Sequence, residues 1–194
     1  MRSFNLYNCK QLNHSLIDMC YQLRRSLLPR QERIIIDFDS TSHEQHGKKM
    51  EGVAHNYKGI WGLDSINAFD EYGLQYWHDV RPGNTYTSNG VTEIIHEIFN
   101  RMPKTKAYKH VKRYARADSG FCNSDFFGAC GIKEVNFVVA MKENIYGPLI
   151  KNVKNWYAQN PNKKTASDFV IVESVKLARP FISQEIVIES CEWL

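Results

Sequence analysis

The sequence predicts an α/β protein built on one mixed sheet, and three observations predict it. Residues 34–41, IIIDFDST, read as a buried central strand that runs straight into two acids. Two more β-prone runs, 59–69 and 74–80, are separated by the turn residues 70–73, DEYG, as in a hairpin. Val91, Ile94, Ile95, Ile98 and Phe99 then recur at the spacing of a helix with one buried face. With further apolar runs following, the order of elements is that of a mixed sheet with flanking helices.

Taken in order, Leu12, Leu16, Cys20, Leu23 and Leu27 have helical spacing ahead of Pro29, which predicts a first helix packed on the domain that follows. Strand one covers 33–40, and 41–58 is a polar stretch rich in histidine and glycine, expected as loop. Residues 81–84, RPGN, end the third strand. The helix of residues 91–99 follows, and 111–117 form a fourth strand ending at Asp118. A short helix at 123–132 leads to a fully apolar fifth strand at 135–141, VNFVVAM. Beyond a short helix at 151–157 and a polar linker at 160–164, the runs 169–175 and 182–188 alternate like strands outside the first sheet. The expected domains are an N-terminal helical segment (1–30), a core (31–159) and a separate β-rich part (160–194).

Composition narrows the class. With 43% hydrophobic and 24% charged residues in 194, the chain has neither disordered nor membrane character. It has no apolar run of membrane-spanning length and no signal-peptide pattern, so the expected location is cytoplasmic, without membrane partners. Five cysteines, an odd number without a CxxC, argue against a disulfide framework or zinc ribbon and for reduced thiols. The net charge of +4 is uneven: residues 101–116 hold seven Lys or Arg and no acid, interleaved with Tyr108 and Tyr114. That pattern suits a surface following a phosphate backbone, with Arg81, Lys109, Lys112, Arg113 and Arg116 as candidate DNA contacts. The second cluster, Lys151, Lys154, Trp156, Tyr157, Lys163 and Lys164, reads better as a solvated face.

On a strand, Asp37 and Asp39 share a face because side chains repeat every second residue. Asp118 ends the fourth strand; if strands one and four are neighbours, Asp39 and Asp118 converge as oxygen ligands for Mg²⁺ or Mn²⁺. Two such ions can clamp both oxygens of an in-line phosphoryl displacement. His43, His46 and His55 match no common zinc spacing and have no cysteine near them in sequence. Cys122 follows Asp118, but the sequence specifies no base to activate it.

Four segments, DFDST at 37–41, HG at 46–47, RPGN at 81–84 and RADSGF at 116–121, occur together in an order that resembles the DDE transposases of bacterial insertion sequences, over about residues 33–142. The resemblance implies a ribonuclease H-like catalytic core. It also implies DNA strand cleavage and strand transfer with Mg²⁺ or Mn²⁺, transposon ends and target DNA as partners, and a homodimer in the complete protein. It assigns Asp39 and Asp118 as the first two catalytic acids and metal ligands. The family's third acid sits in a pattern Y-x2-R-x3-E-x6-K, and Glu173, Glu185, Glu189 and Glu192 lack the tyrosine and arginine it requires. The expectation is therefore a truncated, inactive copy in which 160–194 begin a β-rich insertion. Two alternatives stand beside it. DFDST also satisfies the D-x-D-x-T of haloacid dehalogenase-like phosphohydrolases, with Asp37 as nucleophile and Asp39 as acid/base, although the hairpin that follows argues against that fold. The other is a DNA-binding remnant without catalysis.

Overall fold

The sheet is organised about β1 (Arg33–Glu44), whose Ile34, Ile36 and Phe38 alternate inward and are almost completely buried. The computed structural model describes residues 6–28, 30–47 and 50–140. In chain order these form α1 (Leu6–Leu27), β1, β2 (Ala54–His55), β3 (Trp61–Asp70), β4 (Gln75–Pro82) and α2 (Val91–Asn100). Then come β5 (Lys112–Ala117), a 3-10 turn (Ser119–Phe121), α3 (Ser124–Ile132) and β6 (Asn136–Val139). β1 pairs antiparallel with β3 on one side and parallel with β5 on the other. β4 pairs antiparallel with β3, β6 pairs parallel with β5, and the two-residue β2 extends the β4 edge of β3. The mixed α/β sheet with flanking helices is therefore present as expected.

The β3–β4 hairpin turns on Asp70, which does two things at once. Its Oδ1 accepts the backbone N–H groups of Tyr72 and Leu74, and Gly73, at φ +81°, supplies the left-handed residue that closes the turn. Its Oδ2 accepts Arg24 Nη1 at 2.7 Å from α1. Arg24 also donates to Glu71, to Gln31 and to the Arg33 carbonyl, so a 1%-exposed guanidinium has its donors occupied on every side.

The face of α1 corrects the sequence expectation. Leu12, Leu23 and Leu27 are exposed and Leu16 is half-buried, whereas Asn13, Ile17, Cys20, Tyr21 and Arg24 face the sheet. The reason lies at the sheet edge. Among the described residues no strand lies beyond β4 in its central stretch, and α1 supplies partners there: the Asn13 amide both donates to the His78 carbonyl and accepts its N–H, and Cys20 Sγ lies 3.1 Å from the Gln75 carbonyl. Polar residues thus occupy the inner face because the edge they cover is polar. Tyr21 completes the seam, edge-on to Tyr76 and Tyr108 at 5.1 and 5.6 Å, with its hydroxyl on the Ile98 carbonyl.

α2 matches its prediction residue for residue, with Val91, Ile94, Ile95, Ile98 and Phe99 all buried. α3 starts at Asn123, whose side chain accepts the N–H groups of Asp125 and Phe126. Two strands differ from expectation. β1 runs on through residues 41–44, because β3 is long enough to pair with it as far as Glu44. β6, apolar throughout its centre, is the outermost strand on its side among the described residues, and Val138 stays 63% exposed on it. The expected elements at 151–157, 169–175 and 182–188, and the 160–194 part, lie outside the described residues.

Candidate active site

The parallel ladder between β1 and β5 sets Asp37 opposite Arg116 and Phe38 opposite Ala117. One residue further, where this pairing ends, Asp39 continues β1 and Asp118 is the first residue beyond β5. Backbones of adjacent strands lie about 4.8 Å apart, so the two acids follow the last rung of the ladder on neighbouring chain segments. Asp39 is not at the end of β1, as expected, but at the point where β1 loses β5 while keeping β3. Both acids are exposed.

Each is held by its local backbone. Asp118 is extended (φ −77°, ψ −179°) and caps the 3-10 turn, its Oδ1 accepting the Gly120 N–H at 2.8 Å. Among the described residues nothing donates to Oδ2, which is open to a ligand. A Cβ on Gly120 would come within 2.7 Å of Thr87 Cγ2, so glycine lets the DSG turn rest against the loop after β4. Asp39 Oδ2 has the Thr41 hydroxyl at 3.4 Å, a weak contact that leaves the carboxylate available.

Beneath the acids the same motifs supply the floor. Phe38, between Asp37 and Asp39, points inward to Phe121 of the DSGF turn and Phe126 of α3, with ring centroids 6.5 and 5.9 Å away. Sequence reading stressed the acids of DFD and DSGF; their phenylalanines, 3% and 0% exposed, are what fix the two chain segments to each other.

Arg81 of RPGN is a correction. Expected at a DNA surface, its side chain is 9% exposed and bound to Asp64 through Nε at 2.9 Å and through Nη2. Nη1 donates to the Asn89 and Thr87 carbonyls, and Asp64 also accepts the Ser40 hydroxyl. Arg81 therefore ties the loop before α2 to the residue beside Asp39 and has no face left for a phosphate. An acid at an inward position of β3 is a usable signal for such a partner, and hairpin register puts Arg81 opposite Asp64. Gly83 of the same motif passes so close to the Gly62 and Ala54 carbonyls that a side chain would collide with them.

Arg116 lies on the acid face and is paired with Asp37, Nε to Oδ1 at 2.6 Å and Nη2 to Oδ2 at 2.7 Å. This bidentate hydrogen bond, with the attraction of the carboxylate, raises the arginine pKa above its ordinary value. Asp37 is thus occupied, which removes the free nucleophile that the phosphohydrolase alternative needs. Lys109 and Lys112 are exposed, and Arg113, half-buried, donates to the Lys133 carbonyl. Lys104, Lys106, Lys109 and Arg113 line a cleft of about 560 Å³. It sits by the start of β5, and six residues of strand place it about 20 Å from Asp118.

Among the described residues no group of three or more His, Cys, Asp or Glu is placed to hold a metal ion. His43 instead meets the Ser65 hydroxyl at 2.8 Å, and His55 packs on Trp61. Cys122 is a free, half-buried thiol. The donor set of Asp39 and Asp118, oxygen-only and open to solvent, fits a hard divalent cation that keeps waters in the rest of its shell.

A mixed sheet with two acids where adjacent parallel strands part is the class of architecture that the sequence motifs implied. The family described as transposase DDE domain group 1 matches residues 2–178, and the chain belongs to that family. Among solved structures, the catalytic domain of Mos1 mariner transposase is 10% identical at a TM-score of 0.41, covering 91% of this chain and 80% of that one. The Mos1 mariner paired-end complex with Mn is 10% identical at 0.37, covering 81% and 57%. A chain of the simian T-cell lymphotropic virus intasome in complex with PP2A regulatory subunit B56 gamma is 16% identical at 0.33, covering 72% of this chain. This chain spans 45% of the length of that intasome chain. Curated proteins give no significant match. The strand order stands independently of these partial overlaps.

Proposed function

We propose that the described unit is the catalytic core of a transposase that cleaves DNA strands and transfers them, with Asp39 and Asp118 holding Mg²⁺ or Mn²⁺. The observation that carries the reading is that Asp39 and Asp118 each follow the last paired residues of the parallel β1–β5 ladder, Phe38 and Ala117, in a chain of the transposase DDE family. A divalent cation bound there would neutralise phosphate charge and acidify a bound water. The chain's own residues do the rest. The Gly120 N–H orients the Asp118 carboxylate, the Phe38–Phe121–Phe126 cluster keeps the floor dry and rigid, and Arg81 holds the neighbouring loop in place.

DNA is the partner this surface suits. Lys109 and Lys112 would meet phosphates about 20 Å from the acids, or roughly six base pairs along a duplex. The expected homodimer belongs to this reading as well. No helix among the described residues is long and apolar enough to cross a membrane.

Calorimetric titration of the chain with Mn²⁺ tests the site. Binding should weaken by about tenfold or more in Asp39→Asn and in Asp118→Asn, each of which removes a charged ligand. Binding that survives both substitutions unchanged would sink the assignment. Replacing Lys109 and Lys112 by alanine should lower the salt dependence of DNA affinity by about one to two units of log–log slope.

A further inference from the structure

Four charged residues gather where β1 and β5 part: Asp37 and Asp39 on β1, Arg116 on β5, and Asp118 just past its end. Positions two apart on a strand lie about 7 Å from each other, so every member is within Coulombic reach of a cation held by Asp39 and Asp118. Left alone, Asp37 would be a third carboxylate beside the pair, and Arg116 would be a cation competing for it. The structure couples them to each other instead: both oxygens of Asp37 accept from Arg116, its cross-strand partner on the next-to-last rung of the β1–β5 ladder. A fork of this kind fixes direction as well as distance.

We propose that Asp37 and Arg116 are a positioning pair for the metal site, cancelling each other's charge and locking β1 to β5 so that only Asp39 and Asp118 face the cation. This rests on the metal reading given above and adds two residues to it. It also reassigns Arg116: engaged by Asp37, it tunes the acids rather than gripping DNA phosphate. The pairing gives a physical reason for DFD and RAD to occur in one chain, since each motif supplies one half of the pair and one half of the metal site.

The two halves make opposite predictions, which a purely structural bridge does not. Arg116→Gln releases the Asp37 carboxylate next to the site and should tighten Mn²⁺ binding by about three- to tenfold. Asp37→Asn frees the guanidinium beside the acids and should weaken binding by a similar factor, as expected for one charge about 7 Å from a divalent ion in screened solvent. The double variant should return to within about twofold of the unmodified chain, because both charges are then gone. The measurement is calorimetry with Mn²⁺ alone, repeated at two salt concentrations. Parallel weakening in both single variants, or no change in either, would overturn the pair. So would a loss of about one unit in the salt slope of DNA binding in Arg116→Gln, the mark of a phosphate contact. Failure of the underlying reading looks different: Mn²⁺ binding is then absent from the unmodified chain, taking the pair with it, or is indifferent to Asp39→Asn.

Discussion

Of the arginines that pair with carboxylates among the described residues, Arg24 and Arg116 have surroundings that differ almost completely. Arg24 is 1% exposed and meets Asp70 and Glu71, whose side chains are 0% and 21% exposed. Arg116 is 60% exposed and meets Asp37 at 30%. The shortest contacts are of like length, 2.7 and 2.8 Å for Arg24 and 2.6 and 2.7 Å for Arg116, so distance does not separate them. Burial does. Removing one partner inside leaves a charge without water, whereas outside the solvent takes its place. The inner bridge therefore holds the fold together, and the outer one is free to shape the field at the acids.

The largest way to break the comparison is Arg24→Met, which strands Asp70 in the core. It should cost about 3–5 kcal/mol in urea or thermal unfolding, a large share of the 5–15 kcal/mol typical of a domain. A loss below about 1 kcal/mol would mean that water reaches the bridge. Next comes acid. Burial alone would raise the Glu71 pKa, but hydrogen bonds from Arg24 and from the Ile35 N–H outweigh it and hold the carboxyl below its ordinary value. A group depressed in the folded state contributes stability above its unfolded pKa and loses it as pH falls through the folded one. Stability should therefore drop below about pH 4.5, and Glu71→Gln should flatten that part of the profile. The smallest effect is expected at the surface: Arg116→Gln should shift stability by less than about 1 kcal/mol, so that its metal phenotype is read on an intact fold.

The same contrast explains what was legible in the sequence. α2 could be read because Val91 to Phe99 carry their own periodicity. The face of α1 could not, because Asn13 and Arg24 are satisfied by His78 and Asp70, 65 and 46 positions away, while Leu12 and Leu27 point outward. Local spacing sees the apolar residues and not the distant polar partners that outrank them. Asp39 and Asp118 were accessible as strand ends and as parts of motifs, and their adjacency needed only that β1 and β5 be neighbours. Arg81 and Arg116 both carried charge into recognisable segments, but their partners, Asp64 and Asp37, lie 17 and 79 positions off. Charge in a sequence shows that a residue is polar; only the register tells whether that polarity is already spent.

Arg24 also bears on where this unit can be cut. A chain begun at residue 31, where the helical segment was expected to end, would keep the Asp70 and Glu71 carboxylates and lose the guanidinium between them, and would bare the His78 and Gln75 backbone groups on the β4 edge. Such a fragment carries two uncompensated acids at a hairpin and an unguarded strand able to pair with its copies. Shortened proteins that start after α1 should therefore gather as insoluble material, even with every proposed catalytic residue intact.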